Sequence, residues 1–192
     1  MSSGERVPLA EARKIALDLV WRIEDVCESV HLAGSIRRQK PDIGDIDLVC
    51  EPTILPALDM FGEPIPGQDE DLLTILLDEM VTLGRLDKRL DKNGRASWGP
   101  SLKRAVYRGL AVDIQAVTDP STLGMWMVIR TGPADFNKRL VTPRWQGGLL
   151  PPGFEVRGGL RLYSGGGRVP TPTERSVFEA LSIPWVAPEA RQ

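Results

Sequence analysis

Two cysteines, one histidine and no apolar run close to bilayer length exclude several specialised chemistries from this 192-residue chain. Cys27 and Cys50 lie in apolar contexts, and with His31 alone beside them they cannot assemble a zinc site, which needs about four Cys or His ligands. They read as reduced core thiols, and His31 as a structural residue. No stretch approaches the roughly 20 apolar residues that span a membrane. The N-terminus shows no signal-peptide h-region, so no membrane partner and a cytoplasmic location are expected. Internal repeats are also lacking. Ser164-Gly165-Gly166-Gly167 does not have the spacing of a nucleotide-binding loop and reads as a flexible turn. Apolar content of 42% and charged content of 26% are those of an ordinary globular chain, long enough for one domain or two small ones.

A net charge of −2 conceals a strong asymmetry. Residues 1–84 carry 7 basic and 17 acidic side chains, a net of −10, whereas residues 85–168 carry 15 basic and 6 acidic, a net of +9. Such a division suits an acidic, metal-holding half and a basic half able to follow a phosphate backbone.

The richest stretch runs from Gly34 to Asp47, Gly-Ser-Ile-Arg-Arg-Gln-Lys-Pro-Asp-Ile-Gly-Asp-Ile-Asp. Asp45-Ile46-Asp47 leads into apolar Leu48-Val49-Cys50, so the aspartates open a strand. Alternation then puts Asp45 and Asp47 on one face and Ile46 in the core. Carboxylates that close repel each other unless a cation sits between them. Mg²⁺ fits, since it takes one or two carboxylates and completes its shell with substrate phosphates. Upstream, the Gly34-Ser35 turn offers N–H groups and a hydroxyl to an anion, and Arg38 adds a charge-assisted donor. Metal ligands beside a phosphate cradle point to nucleotidyl transfer. A third carboxylate, Asp113, lies in the apolar run 110–117, where burial unpaired would be costly. Beside the Asp45 strand it would complete a three-carboxylate cluster. An ion pair with a nearby arginine is the alternative, and the sequence leaves both open.

Around these residues, apolar periodicity predicts a helix over 8–29, with Leu9, Ala12, Ile15, Ala16, Leu19, Val20, Ile23 and Val26 on its inner face. A short strand at 30–33 follows. Residues 51–68, rich in Pro and Gly, read as a surface loop. A helix capped by Asp69 or Asp71 runs to about Leu83, with Gly84 as its stop. Residues 85–91 form a weak strand before an Asn93-Gly94 turn, and 103–107 and 110–117 a hairpin about Arg108-Gly109. Further helices follow Asp119, span 135–145 and follow Thr173, with short strands at 154–157 and 160–163. Lys103, Arg104 and Arg108 stand nearest Asp113 in sequence and are the favoured phosphate contacts, ahead of Lys88, Arg89, Lys92 and Arg95. Trp98, in a Gly/Pro-flanked loop, is a candidate base-stacking residue.

Together these segments resemble the family X DNA polymerases. Gly34-Ser35-Ile36-Arg37-Arg38 and Gly44-Asp45-Ile46-Asp47 are similar to that family's Gly-Ser…Arg-Arg…Gly-Asp-(apolar)-Asp signature, and Val112-Asp113-Ile114 to its third-aspartate strand. Thr131-Gly132 with Phe136-Asn137 resembles the segment where palm meets thumb, and Thr173–Phe178 with Ile183–Glu189 the family's C-terminal closure. The resemblance implies an α+β fold: a nucleotidyltransferase palm over 1–131, a mixed sheet with helices on one face, then a small α+β thumb over 132–192. It implies a monomeric Mg²⁺-dependent polymerase that adds dNTPs on primer–template or gapped DNA in repair. Asp45, Asp47 and Asp113 would be its catalytic residues and hold two Mg²⁺ ions, for which Mn²⁺ can substitute. Gly34, Ser35, Arg38 and Gly44 would hold the triphosphate, Arg130, Gly132 and Asn137 the sugar and base, and Lys103, Arg104, Arg108, Lys138 and Arg139 the DNA. Three departures stand out. Ile129-Arg130 replaces the family's Tyr-Phe, which opens ribonucleotide or untemplated addition as a second reading. Ala111 replaces an arginine. The N-terminal lyase domain and the fingers have no counterpart, so no deoxyribose-phosphate removal is expected, as in compact viral members.

Overall fold

The computed structural model describes residues 6–191. The first half comprises β1 (Val7–Pro8), α1 (Leu9–Ile23), β2 (Cys27–Leu32), α2 (Gly34–Arg37), β3 (Asp42–Ile43) and β4 (Asp45–Pro52). It continues with β5 (Ile54–Leu58), β6 (Pro64–Asp71), α3 (Leu72–Thr82), β7 (Asp87–Lys88), β8 (Leu102–Tyr107) and β9 (Leu110–Ala116). The second half holds α4 (Leu123–Thr131), α5 (Ala134–Val141), β10 (Phe154–Arg157), β11 (Arg161–Ser164), β12 (Gly167–Val169) and α6 (Glu174–Ala180). The fold is α+β, as expected.

A five-stranded mixed sheet in the order β2-β4-β9-β8-β7 forms the centre. Only β4 and β9 run parallel in it. Alternation sends Ile46, Leu48 and Cys50 of β4 and Val112 and Ile114 of β9 to the face covered by α1 and α3, where Ala16, Leu19, Leu73 and Leu77 meet them. On the other face Val49 packs with Ala33, Val117 and Met127, which seats α4 at one end of the sheet. The inner side of α4, Met125 and Val128, joins a separate core with Phe136, Leu162, Val177 and Phe178.

Several boundaries differ from the sequence pattern. The first helix ends at Ile23, and after one tight turn Cys27–Leu32 pairs antiparallel with β4, Val30 opposite Cys50. Sheet pairing outweighs the helical spacing that continues to Val26. The segment 51–68 is a hairpin, β5 against β6, and not a loop. Its prolines are tolerated because half the backbone donors of a two-stranded ribbon face solvent. The Asp59 carboxylate closes its turn by accepting from the Phe61 and Glu63 N–H groups. The weak strand at 85–91 contracts to β7, and Gly165 and Gly166, at φ +57° and +80°, form the turn into the unforeseen β12. Asp71 caps α3 through Thr74 N–H, and a Thr173/Ser176 capping box starts α6. Among the described residues no helix is long and apolar enough to cross a membrane.

Candidate active site

β4 and β9 run in register, with Asp47 beside Asp113 and Asp45 beside Ala111. All three carboxylates therefore leave the sheet on the face opposite α1 and α3. β8 extends the row, placing Arg104 opposite Asp113. Past β7, the Arg89 N–H donates to the Arg104 carbonyl at 2.9 Å. One line across β4, β9, β8 and the segment after β7 thus reads Asp47, Asp113, Arg104, Arg89.

Three guanidinium groups hold Asp113: Arg89 in a short hydrogen bond, Arg104 at 3.3 Å and Arg130 at 3.7 Å. The ion-pair alternative is realised: Asp113 lies beside Asp47 in register but its carboxylate is turned to arginines. Asp47 is in the opposite condition. Burial, and then the charges of Asp45 and Asp113, push its carboxyl up to about 7. The site thus carries more negative charge at Asp45 and Asp47 than its solvation supports, which suits a divalent cation. Among the described residues, however, no three acidic, His or Cys side chains converge closely enough to chelate an ion, because Asp113 is turned to its arginines. Gly34, at φ +60°, explains how close the neighbouring turn comes: a Cβ there would lie 2.1 Å from Asp47 Oδ2.

Next to Asp45 lies a cavity of about 400 Å³, lined among others by Arg6, Ser35, Arg38, Lys40 and Gly44. Ser35 Oγ and Arg38 Nε are buried without a partner. An unsatisfied buried donor costs about 1–3 kcal/mol, so both fit an anion. Another Arg38 nitrogen donates to the Thr131 carbonyl, and Gly132, at φ +72°, leaves space for it. Arg6 and Lys40 are cationic liners the motif reading missed. Lys40 had a signal, its place between Arg38 and Gly44, whereas Arg6 precedes the first element.

At the end of α4, Arg130 donates to Gln115 Oε1 at 2.6 Å, and buried Gln115 is itself tied to the Ser101 carbonyl. Arg130 is thereby aimed back over the sheet toward Asp113. Asn137 turns inward, its Nδ2 donating to the Ile129 carbonyl at 2.5 Å with Oδ1 buried and unpartnered. Lys138 and Arg139 are exposed on α5.

Two expected DNA contacts lie elsewhere. Lys103 alternates to the helix-covered face, where it is 2% exposed, donates to the Gly99 carbonyl at 3.1 Å, and has its pKa lowered by burial. Arg108, in the hairpin turn, pairs with Asp18 of α1 at 3.1 Å. Closeness to Asp113 in sequence selected both, but strand alternation leaves only Arg104 on its face. Trp98 is no free stacking platform either: its indole donates to Asp78 at 2.9 Å and Lys88 lies over the ring.

The sequence matches no family model and no curated protein significantly. The structure does match solved ones. A ternary P/T complex of Leishmania infantum polymerase beta superposes with a TM-score of 0.67 at 19% identity, covering 99% of this chain and 78% of that one. A ternary gap complex of the same polymerase gives 0.69 at 19% identity, covering 98% and 71%. The chain has a polymerase beta-like fold. In this polymerase beta-like fold the carboxylate row, the cationic cavity and the end of α4 adjoin one another, through Asp45 and through the Arg38–Thr131 hydrogen bond.

Proposed function

We propose that the chain is a Mg²⁺-dependent, template-directed DNA polymerase that adds dNTPs to a primer 3′-hydroxyl and fills short gaps. The observation that supports this best is that two unlike halves adjoin at Asp45. Ser35 and Arg38, whose Oγ and Nε are buried without a partner, line a cationic cavity beside Asp45, while Asp113 stands one strand away beside Arg89 and Arg104. Ser35, Arg38 and Lys40 hold the β- and γ-phosphates. Asp113 receives the proton of the primer hydroxyl as its oxygen bonds to the α-phosphorus and pyrophosphate departs. Asp45 and Asp47, joined by Asp113 once its arginines release it, would hold divalent cations, which would supply charge neutralisation at the attacking and leaving oxygens.

Primer extension with Mg²⁺ on a one-nucleotide gap, on an open template and on single-stranded ends tests the reading. Insertion of the complementary dNTP is expected, reduced by about 10²-fold or more in Asp45→Asn and Asp113→Asn. Insertion that ignores the templating base, or an unchanged Asp113→Asn, overturns it. A second reading, ribonucleotide or untemplated addition, is favoured by Arg130. Drawn toward Gln115 and Asp113, it leaves no aromatic edge before Thr131. The same assay with rNTPs separates the two.

A further inference from the structure

We propose that Arg89 and Arg104 each seat a backbone phosphate of the strand being extended, and that they mask Asp113 until those phosphates arrive. This rests on the polymerase reading above and assigns two positioning residues to it.

Neutrality at Asp113 requires one cation, and three are present. They are not equivalent. Arg130, 18% exposed, is anchored by buried Gln115 and stays with the protein. The Arg89 and Arg104 side chains are 29% and 45% exposed, over a carboxylate that is itself 12% exposed. They reach in from solvent, so a polyanion can take them from outside without any backbone movement. Both lie on the side of Asp113 away from Asp47, one and two strand spacings along the row, about 5 and 10 Å. A strand laid along that row brings its terminal hydroxyl to Asp113 and its last phosphates to the two arginines. Ala111 and Gln115, the residues on Asp113's own strand that share its face, carry no charge, so β8 and the segment after β7 supply the cations on that side.

The exchange is balanced. Each arginine trades a carboxylate for a phosphate, a partner its planar fork also binds in bidentate fashion. No countercharge is lost, and the carboxylate is freed as the hydroxyl that needs it arrives. The free chain should therefore hold a divalent cation at Asp45 and Asp47 alone, with Asp113 joining only once a strand is seated.

Free Mn²⁺, followed by electron paramagnetic resonance during titration of the full chain, tests this without turnover. Wild type without nucleic acid is expected to bind one Mn²⁺ tightly, whereas Arg89→Gln/Arg104→Gln gains a second site or binds it at least ~10-fold tighter. Adding Asp113→Asn to that double variant removes the gain. The double variant should also bind a 3′-deoxy-terminated primer–template with a shallower dependence of log K on log salt. The expected reduction is nearly two units, at roughly 0.9 per lost phosphate contact. If the double variant fails to fold, Arg104→Gln, at a half-exposed position, carries the same test at half the size. Unchanged Mn²⁺ binding in the absence of nucleic acid, or an unchanged salt slope, overturns the proposal. Both shifts in a chain that never extends a primer would support the seat as a nucleic-acid site and overturn the polymerase reading instead.

Discussion

Burial and two neighbouring carboxylates act on Asp47 in the same direction, and the sign of the consequence for stability follows. A carboxyl whose folded pKa, about 7, exceeds its unfolded value binds its proton more tightly in the folded chain. Stability is thus greatest below the unfolded pKa near 4, falls as pH rises toward 7, and is flat beyond it as far as this group is concerned. The total is at most on the order of 4 kcal/mol. In EDTA, wild type should lose thermal stability between pH 4 and 7 relative to Asp47→Asn, which lacks the charge at every pH. Parallel melting curves across that range would show that Asp47 is not the strained group. Gly34 and Gly44 supply a second contrast. Gly34→Ala puts a methyl 2.1 Å from Asp47 Oδ2 at a positive φ, whereas Gly44→Ala meets nothing nearer than 3.9 Å. Gly34→Ala should cost about 1–2 kcal/mol from backbone strain alone and most of the incorporation rate. Gly44→Ala, which keeps its N–H, should change both little. Urea melts and single-turnover extension measure the pair.

Elements decide which way a side chain faces, and here the strands matter more than the motif. Lys103 and Arg104 are neighbours with opposite fates, one under α3 and one beside Asp113. Lys103→Ala should lower stability by about 1–3 kcal/mol through lost packing and leave the salt dependence of DNA binding unchanged. Arg104→Ala should do the reverse. Equal effects of the two on the salt slope would contradict the alternation of β8. The same logic shows what was legible in the sequence. Asp45 and Asp47 could be placed because their spacing and the apolar run after them are local, and the caps at Asp119 and Thr173 for the same reason; at the start of α3 the sequence left Asp69 and Asp71 open, and Asp71 is the cap. Which basic residue shares a face with Asp113 depends on the register of β8 against β9 and of the segment after β7 against β8. Closeness in sequence does not carry that register, so Lys103 and Arg108 were favoured and Arg89 was ranked behind them. The β5–β6 hairpin was hidden by its prolines, and the end of α1 by helical spacing that runs on past the true boundary.

At the scale of the molecule, a buried ionic joint ties the phosphate-facing turn to the C-terminus. Arg37 of α2 donates to Thr131 Oγ1 at 2.8 Å and to Glu174 of α6, and Glu174 also accepts from Arg191 at 3.0 Å. The Arg191 side chain is fully buried, with its guanidinium against the rings of Phe136, Phe178 and Trp185. One carboxylate thus serves two cations 154 residues apart, and the residue next to Arg37 is Arg38, which lines the cavity with its Nε buried and unpartnered. Holding Arg37 fixes the turn that carries Ser35 and Arg38, so the joint couples packing of the second core to the geometry of the anion site. Breaking a buried pair by removing one partner typically costs about 3–5 kcal/mol, because the remaining charge is left uncompensated. Glu174→Gln should fall in that range and raise the KM for nucleotide more than it lowers kcat. Arg191→Met, which removes one cation but keeps apolar bulk among the aromatics, should cost less. Combined with Glu174→Gln it should recover part of the loss, because only Arg37 then lacks a countercharge. Urea denaturation of the two single variants and the double measures the coupling. A double variant whose loss is the plain sum of the singles would mean that Arg37, Glu174 and Arg191 do not act as one unit, and that the C-terminus holds no grip on the active-site turn.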